Sequence, residues 1–220
     1  MLLAIDTATA LIGVSLDDGD QVLVERIWRS PRHHTVQLGP EVALTLQSAG
    51  ASVEDLSVIA VASGPGSYTG LRIGMALAKG LALSNDLPLV AVPTLSAVAR
   101  AQPASEKPLL AVLEVGRGRV AAVWYKWGRQ AWQAESEPVV LAWSDLIEQL
   151  KEPTIVAGEL GAARARLAKH KWAEPVGPEA CLRRPSYLGA VARQLLDEGV
   201  DTDPALAVPS YLGEIAPAQA

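Results

Sequence analysis

The chain begins with an apolar run at 2–5, and apolar and polar positions then alternate with a repeat of two at 11–16 and 21–28, which is typical of strands. Helical spacing follows from Val36 to Leu46, with Pro40 near the start of that helix. Short apolar runs then alternate with stretches of helical spacing, and Thr94 is placed to cap the last of these helices. The predicted elements are strands at 2–5, 11–16 and 21–28, a helix at 36–46, a strand at 56–62, a helix at 70–83, a strand at 89–92 and a helix at 94–101.

The same order begins again after residues 101–108, AQPASEKP, which have the composition of a linker. Because the order repeats, we predict an α/β fold of two lobes with like topology. The first lobe is predicted at 1–104, with the tail 199–220 returning to it, and the second at 105–198. The elements predicted for the second lobe are strands at 109–115, 119–125 and 130–135, a helix at 144–150, a strand at 154–157 and helices at 162–169 and 187–198.

A glycine-rich turn joins a buried strand to the helix at 70–83. Four of the eight residues from Ser63 to Gly70 are Gly or Pro, which marks a tight turn. Such a turn before a helix can bind phosphate through free backbone N–H groups. However, no Lys stands at the start of this helix as a P-loop requires, and the glycine spacing is one residue longer than in the dinucleotide motif. The sequence therefore disfavours nucleotide binding at this turn.

The helix after this turn carries small residues along two ridges. Gly70, Gly74 and Ala78 recur every four positions, and so do Ala76 and Gly80. A glycine inside a helix costs about 1 kcal/mol relative to alanine, so close packing against another backbone is the expected compensation. Two partners for these ridges remain open, namely the sheet of the same lobe and a helix of another subunit.

Composition and charge narrow the classes of function. The formal charge is −5 and the sequence pI is about 5.3, whereas nucleic-acid binding depends on Lys and Arg that neutralise phosphates. An autonomous nucleic-acid binder is therefore disfavoured. The single cysteine, Cys181, excludes an internal disulfide and a cysteine metal cluster, and the opening MLLAIDTAT does not fit a signal peptide or a membrane span. We expect a cytoplasmic protein without membrane contact.

Three segments carry a resemblance to a known family. They are the opening LLAIDTAT, the segment RHHTVQL and the turn with its helix, SGPGSYTGLRIG. With them the chain resembles the bacterial TsaB family, whose members are subunits of the machinery that makes threonylcarbamoyladenosine in tRNA. The resemblance is close in the first half and weak in the second. It implies two RNase H-like lobes of the actin-like ATPase type, each a mixed sheet flanked by helices, and kinship with the catalytic TsaD subunit.

The resemblance also implies a nucleotide cleft between the lobes, and the residues here indicate a degenerate one. Asp6, Thr7 and Thr9 stand where such ATPases hold phosphates, but Ala8 occupies a turn position that favours Gly. In the second lobe Glu114 replaces the usual Asp. We therefore expect no intrinsic ATP hydrolysis, no cofactor and no metal. The alternative is a small ATP-dependent kinase or hydrolase that uses Asp6 and Glu114 across the cleft.

The function implied by the resemblance is that of a non-catalytic scaffold or activating subunit. Its partner is a TsaD-like catalytic subunit, which transfers a threonylcarbamoyl group to the adenosine beside the anticodon, and a TsaE-like ATPase joins them. tRNA is then bound only through the complex, and the chain alone forms a homodimer. We predict that the helices at 36–46 and 70–83 form the partner surface, so that Gly74→Leu abolishes pairing and leaves the monomer folded. The predicted interface residues are Val36, Val42, Leu46, Gly70, Leu71, Gly74, Met75, Ala78 and Leu81.

Metal and nucleophile sites are disfavoured by the residue pattern. His33 and His34 are adjacent, so on a helix they point about 100° apart and rarely share one ion. Leu38 stands where a second histidine four positions after His34 would be needed. Ser63 and Ser67 have no identifiable His and Asp partners, which argues against a protease.

A local basic group lies in the third predicted strand and just after it. Arg26, Arg29 and Arg32 stand close to Trp28. Either this group contacts tRNA or an acidic partner, or it is a solvated strand edge, and the second interpretation is favoured.

Overall fold

The computed structural model describes residues 1–30, 34–116 and 118–212, and for His34 the backbone alone. These residues form a five-stranded sheet in the first half of the chain and a six-stranded sheet in the second half. Helices flank both sheets, so the predicted α/β architecture of two lobes is confirmed. The strands are β1 (Leu2–Asp6), β2 (Leu11–Asp17), β3 (Val22–Arg29), β4 (Val58–Gly64), β5 (Leu89–Pro93), β6 (Leu109–Gly116), β7 (Arg119–Gly128), β8 (Ala131–Ala134), β9 (Val139–Ala142), β10 (Thr154–Gly158) and β11 (Ala173–Pro175). The helices are α1 (His34–Ser48), α2 (Tyr68–Ser84), α3 (Thr94–Arg100), α4 (Trp143–Glu148), α5 (Arg164–Leu167) and α6 (Pro185–Asp197).

The two sheets share one topology. In the first sheet the strand order is β3-β2-β1-β4-β5, with β1 antiparallel to β2 and parallel to β4. In the second sheet β8-β7-β6-β10-β11 repeats that order, and β9 pairs with the part of β7 that β8 does not reach. The recurring order of elements along the sequence therefore corresponds to two copies of one strand arrangement.

Side chains of β1 alternate between the two faces of the first sheet. Leu3 and Ile5 pack under α1 and α2, whereas Leu2 and Ala4 pack under α6. Because helices cover both faces, every residue of β1 is buried. This explains why the strand is a continuous apolar run that ends in a single acidic residue.

Helix α3 packs on both lobes. Its Ala97 joins the cluster between the first sheet and α6, while Leu95 and Val98 join a cluster on the second sheet. The opposite face of the second sheet is covered by α4 and α5. The two sheets are therefore connected through α3.

Helix α6 packs on a different sheet from the one predicted. The element order places it in the second lobe, within 105–198, but its residues Leu188 and Val191 pack on the first sheet. Arg193 of α6 also pairs with Asp17 of β2. The sequence pattern gives this helix an apolar face but does not specify which sheet that face covers.

Two local predictions also differ from the structure. Pro40 lies inside α1, which starts at His34. A residue with an N–H at position 40 would donate to the backbone carbonyl of Val36, and proline leaves that carbonyl without this bond. Val36 is 74% exposed, so its carbonyl lies in a turn that is open to water. Thr94 does not cap α3, since its hydroxyl instead accepts a hydrogen bond from the Gly64 N–H (3.2 Å).

The sequence pattern missed β9 and β11 and made α5 too long. These strands have four and three residues, too few for an alternating pattern to show. The predicted helix at 162–169 is a single short turn of α-helix preceded by a 3-10 turn.

Candidate functional site

The loop that follows β1 is the centre of the candidate site. Asp6 ends the strand, and its Oδ1 accepts a hydrogen bond from the Ala8 N–H (2.9 Å). Asp6, Thr7 and Thr9 are buried. The turn before α2 packs on this loop, since the Ser67 N–H donates to the Ala8 carbonyl (2.6 Å). Two segments with strong sequence signals therefore meet at the carboxyl ends of β1 and β4, where ligands bind in open α/β sheets.

A buried arginine occupies this position. Arg183 precedes α6, and its side chain is only 2% exposed. Its guanidinium pairs with Asp6 and with Glu159 (3.2 Å), and it donates to the Thr9 hydroxyl (3.0 Å) and the Leu11 carbonyl (2.9 Å). Burial alone lowers the pKa of Arg183, but the charges of Asp6 and Glu159 outweigh it and raise that pKa. The guanidinium therefore stays charged.

These side chains connect the two lobes. We define the arginine cluster as Arg183, Asp6, Thr9 and Glu159. Asp6 and Thr9 belong to the first lobe, Glu159 follows β10 in the second, and the Thr9 hydroxyl also donates to Glu159 (2.7 Å). A planar guanidinium that donates to several oxygens at once forms strong, directional hydrogen bonds. The cluster therefore fixes one lobe relative to the other.

Sequence reasoning did not find Arg183. It lies 177 positions from Asp6 along the chain, and two arginines before a helix are an ordinary pattern. One signal was present, because Asp6 ends an otherwise apolar strand and a buried carboxylate needs a positive partner. The sequence did not indicate which of the chain's cations would supply it.

A cavity of about 690 Å³ lies between the lobes. Of the four predicted cleft residues, Thr9 and Glu114 line this cavity. Asp6 instead faces Arg183, and Thr7 is buried, with its hydroxyl on the Gly70 carbonyl. The carboxylates of Asp6 and Glu114 therefore do not face a common cavity, which corrects the prediction that they share the cleft.

The glycine ridge of α2 packs against the loop after β1. A Cβ on Gly70 would overlap the Thr7 carbonyl oxygen, and a Cβ on Gly74 would overlap the Thr7 hydroxyl. That hydroxyl donates to the Gly70 carbonyl (2.8 Å). Gly80, on the other ridge, has no atom within 4 Å of the position that a Cβ would take. Of the two partners left open by the sequence, the Gly70 ridge therefore contacts the chain's own first lobe.

Most of the predicted partner interface is internal. Val36 is exposed and Leu81 is half-buried. The other predicted residues are not accessible, because α1 and α2 place their most apolar faces on the first sheet. Gly74→Leu would also displace Thr7, which contradicts the prediction that this variant leaves the monomer folded. The buried residues are Val42, Leu46, Gly70, Leu71, Gly74, Met75 and Ala78.

An apolar groove of about 540 Å³ remains on the outer side of α1 and α2. Further apolar side chains are exposed on these helices, including Leu44 at 40% and Leu83 at 59%. We call this feature the α1–α2 groove. It is lined by Thr35, Leu38, Gly39, Tyr68, Thr69, Arg72, Ile73, Ala76 and Leu77.

Arg72 lines the α1–α2 groove and contacts two tyrosines, Tyr68 of the same helix and Tyr211 of the tail. Arg72 Nε donates to Tyr211 Oη (2.8 Å), and its guanidinium carbon lies 3.9 Å from the centroid of the Tyr68 ring. The hydrogen bond to Tyr211 raises the pKa of Arg72. Further along α2, Lys79 donates to the Ala207 carbonyl (3.1 Å). The described part of the tail therefore runs along α2.

Comparison with known proteins identifies the family. The family model for TsaD, tRNA N6-adenosine threonylcarbamoyltransferase, matches residues 28–197. The tRNA threonylcarbamoyladenosine biosynthesis protein TsaB of Bacillus subtilis is 35% identical over 160 residues, which are 71% of this chain and 70% of that protein. The chain belongs to the TsaB family, within the wider TsaD family.

Two further comparisons agree with membership of the TsaB family. The Escherichia coli protein of the same name is 35% identical over 145 residues, which are 64% of this chain and 62% of that protein. The solved structure of YeaZ from Pseudomonas aeruginosa superimposes with a TM-score of 0.80 at 24% identity, covering 96% of this chain and 99% of that chain. This structural likeness shows the fold. The resemblance based on three sequence motifs is therefore confirmed.

The basic group near β3 is partly neutralised in this TsaB-family chain. Arg26 pairs with Glu41 of α1 (2.7 Å), and Arg29 is exposed on β3, an edge strand of the first sheet. Arg32 lies outside the described residues. A contact between this group and tRNA stays a prediction. One cation of the group, Arg26, is already paired with Glu41.

The structure tests the predictions about metal sites and membrane spans only over the residues that it describes. His33 and the side chain of His34 lie outside the described residues. Among the residues that are described, no group of three His, Cys, Asp or Glu side chains is arranged to hold a metal ion. Over the same ranges, 1–30, 34–116 and 118–212, no helix is long and apolar enough to cross a membrane.

Proposed function

We propose that this TsaB-family chain acts in the threonylcarbamoyladenosine modification of tRNA as a non-catalytic subunit. In this role it dimerises with a TsaD-like catalytic subunit, and a TsaE-like ATPase joins the pair. The names of the Bacillus subtilis and Escherichia coli relatives support the link to tRNA modification.

The pairing of Asp6 with Arg183 is the observation that carries the non-catalytic part of this proposal. An acidic residue after the first strand assists phosphate chemistry only if its carboxylate can reach a metal ion, a water or a substrate. Here the carboxylate is buried and neutralised by a guanidinium of the same chain. A Cβ on Ala8 also occupies the loop where a phosphate would need close approach to the backbone.

The α1–α2 groove supports the part of the proposal that concerns a partner. Large exposed apolar patches on soluble proteins mark surfaces that bind other molecules. A standard interface removes about 800 Å² of surface from each partner, and two helices of 15 and 17 residues border this groove. Without a TsaD-like partner, the same surface is expected to form a twofold homodimer.

Ala76→Arg is expected to weaken pairing with the TsaD-like subunit by about tenfold or more. Ala76 is exposed and lines the α1–α2 groove, so the substitution places a charge in the proposed interface without disturbing the core. Light scattering on a sizing column, with the chain alone and mixed with the TsaD-like protein from the same source, measures both association states.

The matched control is Gln194→Arg, which adds the same charge at an exposed position of α6, on the other face of the first sheet. It is expected to pair like the wild type. Equal pairing by Ala76→Arg and Gln194→Arg would remove the groove as the contact. A wild-type chain that stays monomeric and does not bind the TsaD-like protein would contradict the proposed function itself.

Titration with Mg-ATP is expected to give no heat of binding in the micromolar range. The alternative function, a kinase or hydrolase that uses Asp6 and Glu114, requires binding there, whereas Arg183 already occupies the Asp6 carboxylate. Isothermal calorimetry on the wild type tests this directly. Micromolar binding that Glu114→Gln abolishes would favour the enzyme instead.

A further inference from the structure

A run of basic residues follows β10 near the edge of the second sheet. Residues 160–173 contain four of the chain's 19 Lys and Arg residues and none of its 24 Asp and Glu residues. Arg164 and Arg166 lie in α5, and Lys169 and Lys171 lie in the turn before β11. We call these four residues the α5 basic segment. It concentrates positive charge in a chain whose formal charge is −5.

Three of these cations have no acidic partner. Arg166, Lys169 and Lys171 are exposed, and none of them forms an ion pair with any residue that the structure describes. Arg164 differs, because its guanidinium donates to the Val176 carbonyl (2.8 Å) and anchors the segment. Three positive charges within six residues are therefore available to bind an anionic partner.

The α5 basic segment is held by the second lobe. Leu167 is buried in the core under α4 and α5, and the His170 N–H bonds to the Leu167 carbonyl (2.9 Å). The Lys171 ammonium lies 4.1 Å from the centroid of the Trp172 ring, a distance typical of a cation–π contact. The cations are therefore presented by a turn that is packed on the core.

The α5 basic segment and the α1–α2 groove are on different lobes. Helices α1 and α2 pack on the first sheet, whereas α5 packs on the second. An interface confined to the α1–α2 groove would therefore not cover the α5 basic segment. Arg26 and Arg29 are less suited to bind a polyanion, since Arg26 is paired with Glu41 of α1, a helix of the proposed interface.

We propose that the α5 basic segment contacts the sugar–phosphate backbone of the tRNA that the assembled complex modifies. This inference rests on the proposed function, which supplies tRNA as the polyanion. Lys and Arg that contact phosphates add affinity and fix orientation but do not read base sequence. Three cations contribute only a modest share of the affinity for tRNA. This agrees with an acidic chain that binds tRNA as part of a complex.

The test compares two triple variants in the complex with the TsaD-like subunit. The first is Arg166→Gln with Lys169→Gln and Lys171→Gln. The control, which removes the same charge from exposed positions of the second lobe, is Lys126→Gln with Arg129→Gln and Lys151→Gln. Fluorescence anisotropy with labelled tRNA over a series of KCl concentrations measures the Kd. Light scattering on a sizing column shows whether each variant still pairs.

We expect the first triple variant to pair normally and to bind tRNA about tenfold more weakly at low salt. The slope of log Kd against log salt is expected to fall by about one for each phosphate that the variant no longer neutralises. The control is expected to stay within about twofold of the wild type. Equal affinities and slopes for the two triple variants would overturn the inference. So would a wild-type complex that does not bind tRNA, or a first triple variant that fails to pair, since the segment would then be a protein contact.

Failure of the proposed function is visible separately, as a wild-type chain that forms no complex on the sizing column. In that case anisotropy is read on the chain alone. Salt-dependent tRNA binding that only the first triple variant loses would then still support the phosphate contact, and absence of binding would overturn it.

Discussion

Arg183→Met is expected to lower the free energy of unfolding by about 3–5 kcal/mol. The change leaves the Asp6 side chain, which is 2% exposed, buried without its cation. It also removes the donors to the Thr9 hydroxyl and the Leu11 carbonyl. A buried charge that loses its partner keeps the cost of leaving water and loses the attraction that offset it. Equilibrium unfolding in urea, followed by circular dichroism, measures the change.

Arg184→Met is the matched control, because it removes the neighbouring guanidinium from a more exposed site. Arg184 pairs with Glu25, and the two side chains are 49% and 9% exposed. The Glu25 carboxylate keeps its hydrogen bond from the Ser186 N–H (2.9 Å) and the Arg184 end of the pair is open to water, so a smaller loss of about 1 kcal/mol is expected. Similar losses for the two variants would contradict the importance of burial at Arg183.

A double variant separates the lost charge from the lost packing. Arg183→Met combined with Asp6→Asn removes both charges, and the asparagine can still accept the Ala8 N–H. We expect it to be more stable than Arg183→Met alone, because no buried carboxylate remains unpaired. Additive losses from the two substitutions would show that the ion pair itself is of little importance.

Gly74→Ala is expected to destabilise the chain by about 2–3 kcal/mol, although alanine favours a helix. Its Cβ would overlap the Thr7 hydroxyl and lie 3.3 Å from the Thr7 Cβ, at a buried position. Thr7 would have to move and give up its hydrogen bond to the Gly70 carbonyl. Urea unfolding again measures the effect.

Gly80→Ala provides a control of opposite sign on the same helix. No atom lies within 4 Å of its added Cβ, so the change is expected to stabilise the chain by about 0.5–1 kcal/mol. Both variants are compared at one protein concentration, with sizing to detect any change of association state. A Gly74→Ala variant as stable as Gly80→Ala would show that the contact with Thr7 is not tight.

The order of elements could be predicted from the sequence because it depends on local periodicity. Strands β1 to β8 and β10, helices α1 to α4 and helix α6 follow from apolar runs or from repeats of two or about 3.6 within single segments. The exceptions β9 and β11 are too short to show a repeat. The position of α6 on the first sheet was not predictable in this way, since periodicity shows that a helix has an apolar face and not what covers it.

Part of the candidate site could be predicted from the sequence. Asp6 and the glycine turn were found, because an acid after an apolar strand and a cluster of Gly and Pro are unusual in themselves. The structure gives both features other roles than those predicted. Asp6 pairs with Arg183, and the glycines of α2 leave room for Thr7. The small residues of α2 indicated close packing correctly, but the interface assigned to them lay on the buried side of the helix.

The sequence by itself determined most of the order of helices and strands and the repeat of two α/β lobes, since both follow from patterns among neighbouring residues. Only the tertiary structure decided that Arg183 neutralises Asp6, that Gly70 and Gly74 face the first lobe, and that Ala76 faces outward. The physical reason is that an ion pair or a close backbone contact depends on where two distant segments meet in space. That meeting is set by the packing of the whole chain, which no single segment encodes.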